Sequence, residues 1–288
     1  MRNRLLTTIT IILSCGALLF QSCGGSGNEN DNQNQGNTDT SVVLVQEQAG
    51  FVLPSPLQIS YIFKKAGLKF MPGITNPVEN VSKYNTDISK SLSFGVYSAD
   101  LSYCVFSGET QHKLDYIKVV KQLADELGML NVMDQSLVDS FEKNVGKEDS
   151  LVDYLATSQE RMDQYLKENA IEYKEVIFFL GAWIEGMYLG SRDVNSNKSD
   201  VISRLVEQMT ILDNILIGLK QYPSKESEIA ALVTDVEALK KIFSNFDALK
   251  SIEDVDDIDF EQIVISIEEL GTLSGKIEEV RTKIIAGK

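Results

Sequence analysis

The sequence predicts an all-α protein, a multi-helix antiparallel bundle. Three observations predict it. Apolar residues recur at helical spacing from about residue 55 onward, cap residues punctuate that pattern, and the connections between the long stretches are short. Short loops between long helices make consecutive helices antiparallel neighbours.

Val42-Val43-Leu44-Val45 is the one strand-like run, and with nothing to pair with it reads as an extended lead-in packed on the domain. Ser55-Pro56 is an N-cap followed by Pro at the first helical position, opening a short helix that stops near Gly67. Asn76-Pro77 repeats the device for a second helix. Thr86 to Phe106 is a third, broken by Gly108. Glu109 to Leu127 is a fourth, with Leu114, Ile117, Val120, Leu123 and Leu127 on one stripe and Gly128 at its stop. Helices follow over Asp134–Val145, Asp149–Glu168 and Ile171–Gly190, then three long ones over Ser199–Tyr222, Ser224–Leu249 and Asp259–Ala286. The last carries Phe260, Ile263, Ile267, Leu270, Ile277 and Ile284, nearly a heptad pattern. A short α-solenoid of paired helices is the alternative architecture. Phe94-Gly95 followed by Ala99 and Tyr103 has the look of a tetratricopeptide first helix, but no second copy stands at that period.

The amino terminus reads as three zones. Arg2 and Arg4 form a positive n-region, Leu5 to Phe20 an uncharged apolar h-region, and Ser22-Cys23-Gly24-Gly25 a small-residue end. A spanning helix needs about 20 apolar residues; this shorter run is expected to be a removable signal over residues 1–22. Phe20-Gln21-Ser22-Cys23 resembles the relaxed lipobox of Bacteroidota lipoproteins, which makes Cys23 the lipid-attachment residue. Ile12-Leu13-Ser14-Cys15 also fits a lipobox, but cleavage there leaves a very short h-region and an apolar mature terminus. Gly24 to Thr40 has no large apolar residue, so residues 23–41 are expected to be the lipidated cysteine and a flexible tether reaching about 20–25 Å. Residues 42–288 then form a single all-α domain. Several acyl chains make an anchor durable where one does not. Glu29 and Asp31 loosely resemble the export signals that send some lipoproteins to the cell surface.

Charge narrows the partners. The chain has 27 basic against 42 acidic residues, net −15, and loss of Arg2 and Arg4 with the signal takes it to −17. Nucleic acid and anionic lipid headgroups repel such a body, so no nucleic acid is expected and the membrane is met through the lipid anchor alone. Of the three cysteines, Cys15 leaves with the signal and Cys23 is acylated. Cys104 is left without an intramolecular disulfide partner, and its apolar helical surroundings read as those of a small buried hydrophobe.

Leu53-Pro-Ser-Pro-Leu-Gln-Ile-Ser60, Ile62-Phe63-Lys64-Lys65-Ala66-Gly67-Leu68, Pro72-Gly73-Ile74-Thr75-Asn76-Pro77, Phe94-Gly95-Val96-Tyr97-Ser98-Ala99-Asp100-Leu101 and Gly181-Ala182-Trp183-Ile184-Glu185 form a recognisable set. Together they resemble a group of uncharacterised helical lipoproteins of Bacteroidota, over most of the mature chain. The resemblance implies a helical fold and a cell-envelope location, membrane-anchored by lipid at the outer membrane, on its periplasmic or surface face. It transfers no catalytic residue.

The chain has one histidine, His112. That count excludes a two-His zinc site, a di-iron bundle and two-His haem ligation. A Ser-His-Asp triad would have to use His112, which lies near a helix start between Gln111 and Lys113 and reads as a surface residue. No Walker-type phosphate loop and no nucleotide-binding glycine fingerprint is present, and no cofactor or metal is expected. An EF-hand starting at Asp257 needs Gly where Gln262 stands, so Glu253 to Asp259 reads instead as an acidic loop ahead of the final helix.

The sharper candidates are acids inside apolar, small-residue helices. Asp100 lies among Tyr97, Ala99, Leu101 and Tyr103, and Glu185 within Gly181-Ala-Trp-Ile-Glu-Gly-Met-Tyr-Leu-Gly190. Each glycine costs a helix about 1 kcal/mol relative to Ala, a cost that close helix approach explains. A carboxyl group in such a setting is paired or has a raised pKa. Asp100, Tyr103, Trp183 and Glu185 are therefore the candidate ligand pocket; the blander reading is that hydrogen bonds fix the two acids as packing elements. The expected role is a helical binding or interaction domain in the envelope, for a partner protein or a small ligand. A carboxylate-dependent hydrolase or lyase using Asp100 and Glu185 is the alternative, and a glycan-binding component a third.

Overall fold

Cap chemistry sets several helix boundaries in the residues that the computed structural model describes, which are Leu53, 55–192, 199–223, 227–250, 258–260 and 262–287. Ser55 and Gln58 exchange capping-box hydrogen bonds at the start of α1 (Pro56–Lys65). Thr86 and Ser89 do the same for α2 (Asp87–Ser107), which ends on Gly108 with a left-handed φ of 79° that a residue without Cβ adopts at no cost. After α3 (Thr110–Glu126) Gly128 again takes a positive φ. Asp134 caps α4 (Gln135–Lys143) by accepting from the Leu137 amide at 2.8 Å. There follow α5 (Glu148–Glu168), α6 (Glu175–Arg192), α7 (Ser199–Glu207), α8 (Leu212–Gln221), α9 (Ser227–Ser244) and α10 (Ile267–Ile285). The described residues thus form ten α-helices and no strand, and the fold is all-α.

Several expected helices differ in extent: the one expected over Ser224–Leu249 ends at Ser244, and the one expected from Ile171 opens with the 3₁₀ turn Glu172–Lys174 before α6. Asn76-Pro77 opens only a 3₁₀ helix, Val78–Lys83, because Asn76 spends its side chain on a buried network instead of an N-cap. The Ser199–Tyr222 stretch is interrupted by the 3₁₀ helix Gln208–Ile211 between α7 and α8. The last helix starts at Ile267 and not at Asp259, since Ser266 and Glu269 form a complete capping box there. Ile267 is 82% exposed and Val264 83%, so the apolar stripe of α10 begins at Leu270. The strand-like run 42–45 and most of the acidic stretch 253–259 lie outside the described residues.

Ion pairs report helix direction. Lys90 near the start of α2 meets Glu126 at the end of α3 at 2.9 Å, and Arg161 of α5 meets Asp134 before α4 at 2.9 Å, so these neighbours are antiparallel. Helix α10 returns antiparallel to α6, with Arg281 on Glu185 and Arg192 on Glu278. The two central helices are different. Lys174, just before α6, pairs with Asp87 at the start of α2, so α2 and α6 run parallel. They can do so because α3, α4 and α5 intervene in sequence. Both are buried nearly all round, as a helix without a solvent face must be. One hydrophobic core, with Trp183, Met187 and Leu239, gathers α6 to α10 and α1. A second, with Tyr97, Leu123 and Phe141, gathers α2 to α5.

Candidate functional site

Two glycines bring the acids together. A Cβ on Gly95 would fall onto the carbonyl oxygen of Phe178 and lie 2.7 Å from the amide nitrogen of Ala182. A Cβ on Gly181 would likewise fall onto the carbonyl oxygen of Leu92. The contact is nearly reciprocal, each glycine sitting against the carbonyl three positions before the other. Two further glycines of α6 receive α1: Gly186 faces Ile59 and Gly190 faces Phe63, with ring and methyl carbons 2.8 Å from where a Cβ would stand. Backbone contact this close leaves Asp100 of α2 and Glu185 of α6 one turn further along, near enough for the charge of one to act on the other, both 0% exposed.

The third member comes from α10. Arg281 donates from Nε to Glu185 Oε2 at 2.7 Å and from one terminal nitrogen to Oε1 at 2.8 Å, a bidentate pair, and the same terminal nitrogen donates to the Ile74 carbonyl at 3.1 Å. Its guanidinium carbon lies 3.9 Å from the ring centre of Tyr188, and that of Arg192 lies 4.5 Å from the same ring. Burial disfavours the charge on Arg281, but the carboxylate of Glu185 outweighs it and lifts its pKa above the ordinary value.

Asn76 closes the network with every polar group it has. Its amide donates to Asp100 Oδ2 at 3.1 Å and its side chain donates to the Tyr84 hydroxyl at 3.0 Å. Its side-chain oxygen accepts from Asn80 at 2.7 Å and its carbonyl from the Tyr116 hydroxyl at 3.0 Å. Tyr97 donates to the Pro77 carbonyl at 2.8 Å, and Tyr84 reaches the Ile285 carbonyl at 3.3 Å. Burial pushes the phenols of Tyr97 and Tyr116 up, with the charge of Asp100 adding to each. For Asp100 itself burial comes first and the negative charge of Glu185 second; Arg281 and the Asn76 amide offset them only in part, so its pKa stands well above the usual carboxylate range.

Of the four pocket residues expected from sequence, the structure brings Asp100 and Glu185 together and seals both. Trp183 is 0% exposed in the core around α6, and Tyr103 is tied to the loop before the 3₁₀ helix, donating to Lys69 O at 2.9 Å and accepting from Met71 N at 2.8 Å. All four are buried. His112 is a half-exposed surface residue 4.0 Å from Glu109. Cys104 is buried, and burial pushes its thiol up, as for an inert core residue. Among the described residues no group of three or more His, Cys, Asp or Glu side chains is placed to hold a metal.

Arg281, absent from the sequence-derived site, is the residue that organises it. Its spacing carries a signal: Ile277, Arg281 and Ile284 share one face of α10, so an arginine stands in an apolar stripe. An open feature lies elsewhere, a cleft of about 290 Å³ between the end of α9 and the start of α10, lined by Ile242, Phe246, Asp247, Ser266, Glu268 and Glu269. Val264 and Ile267 stand exposed on either side of Ser266 in sequence. Compared with protein families, curated proteins and solved structures, the chain matches none.

Proposed function

We propose that the chain is a lipid-anchored cell-envelope protein whose helical body acts by binding a partner protein or small ligand at its surface. The anchor rests on the signal-like amino terminus and Cys23, followed by a polar tether. The observation that supports surface binding over chemistry in the core is the state of the two buried acids. Glu185 has both oxygens on Arg281, and Asp100 is 0% exposed, so a substrate would have to part α2, α6 and α10 to meet either. An opening to solvent exists at the α9–α10 cleft, and its lining residue Ser266 is flanked in sequence by the exposed Val264 and Ile267.

Metabolic labelling with a radiolabelled or clickable fatty acid tests the anchor. Wild-type protein should carry label and fractionate with membranes, while Cys23→Ala should lose the label and become soluble or mislocalised. Continued membrane retention of an unlabelled Cys23→Ala protein would refute lipid anchoring.

A further inference from the structure

A count of donors and acceptors around Asp100 does not close if its carboxyl is ionised. Oδ2 accepts from the Asn76 amide, but Oδ1 is buried with no hydrogen-bond donor to receive. The nearby cation gives Asp100 no hydrogen bond: Arg281 directs Nε and one terminal nitrogen to the two oxygens of Glu185 and to the Ile74 carbonyl. A fully buried carboxylate with a single hydrogen bond is costly, whereas a neutral acid turns the orphan acceptor into an O–H donor. The candidate acceptor is the Glu185 carboxylate, which is equally buried and near enough for its charge to act on Asp100.

We propose that the folded protein carries a proton on Asp100, shared toward Glu185, and that this proton acts as a latch holding α10 to α2 and α6. With it, the buried set holds one negative charge, on Glu185, and one positive, on Arg281. Ionisation releases the proton to water and leaves two carboxylates facing one guanidinium in a buried site. The groups that act on or touch Asp100 are Tyr97 and Cys104 on its own helix, the Asn76 amide from the preceding segment, Tyr116 of α3, Glu185 of α6 and Arg281 of α10. Tyr84 and Tyr188 stand one partner further out, on Asn76 and on Arg281, and the buried Lys113 of α3 acts on Cys104. Arg281 is the cation that acts on Asp100 itself, and Glu185 already holds it. Because Tyr84 also reaches the Ile285 carbonyl, and the Ile74 carbonyl holds Arg281, disturbance at Asp100 bears on the carboxy-terminal half of α10.

The direction of the pH effect follows. Between the unfolded carboxylate pKa, about 3.9, and the raised folded value, the folded protein holds a proton that the unfolded chain lacks. Stability is full below that window, falls as pH rises through it and levels off above it. The folded-to-unfolded ratio should drop about tenfold per pH unit from this one proton. Asp100→Asn mimics the neutral acid, keeping an acceptor for Asn76 and a donor for Glu185, and should remove that dependence.

The experiment pairs isotope-edited infrared spectroscopy of ¹³C-aspartate-labelled protein with urea denaturation across pH. At neutral pH wild type should show a protonated aspartate carbonyl band that Asp100→Asn lacks and Glu175→Gln retains. At higher pH, amides of residues 277–285 should exchange faster in wild type than in Asp100→Asn at the same pH, while those of α4 exchange alike. Absence of any protonated aspartate band in wild type overturns the proposal without recourse to a variant. So does an Asp100→Asn protein whose stability depends on pH as wild type does.

Discussion

Helix α10 is held on two sides by carboxylates, and the two sides are built differently. On the inside Glu185, 0% exposed, takes two parallel hydrogen bonds from Arg281, whose side chain is 8% exposed. On the outside Asp235 of α9, 11% exposed, meets Lys276 and Lys283 at 2.9 Å each, and those side chains are 17% and 46% exposed. The inner pair has no water to fall back on, so removing one partner strands a charge. The outer carboxylate is itself mostly buried but has two lysines, of which Lys283 reaches into water, so loss of that one leaves Asp235 paired and costs little. The difference separates specification from attachment. Arg281 of the inner pair lies on the same buried face of α10 as Leu270, Leu273, Ile277, Val280 and Ile284, while Lys283 of the outer set is open to screening by salt.

The largest effect is expected from breaking the inner pair. Arg281→Met leaves Glu185 buried and unpaired and should lower stability by about 3–5 kcal/mol in urea denaturation. Gly181→Ala should follow, since its methyl meets the Leu92 carbonyl and has only backbone to push against; overpacking of this kind costs about 1–3 kcal/mol or more. Gly271→Ala, where a Cβ meets nothing within 4 Å, is the control and should be neutral or stabilising. Next comes Glu175, whose pKa burial, Asp163 and Glu172 push up to about 7. Its sign is that of Asp100: stability should fall as pH rises from about 4.3 toward 7, and Glu175→Gln should flatten that part of the profile. Smallest is Lys283→Ala, at about 0.2–1 kcal/mol and shrinking with added salt, because Lys276 remains on Asp235.

Elements whose ends are written locally were legible in the sequence. Ser55-Pro56, Thr86, Asp134, Gly108 and Gly128 each mark an end through hydrogen bonds or backbone geometry within a few residues. Boundaries that depend on distant partners were not. Asn76 has the local look of an N-cap but is claimed by Asp100, Tyr84, Asn80 and Tyr116, up to 40 residues away. The start of α10 was available in Ser266 and Glu269, yet the apolar residues Phe260 and Ile263 carry the helical spacing back past it. For the site, glycine spacing pointed to close helix approach and composition pointed to the two acids. Arg281 lies 96 residues from Glu185, and no local pattern announces their pairing. Nor does spacing reveal that α2 and α6 run parallel, since direction depends on the helices between them.

Glu185 and Arg281 form one structural unit inside the fold. A double-mutant cycle tests it most directly, comparing Glu185→Leu, Arg281→Met and the double variant by urea denaturation. Each single change should be strongly destabilising, and the double variant should recover most of the loss, because it leaves no stranded charge. Losses that simply add would show that the two side chains act independently and would contradict the claim.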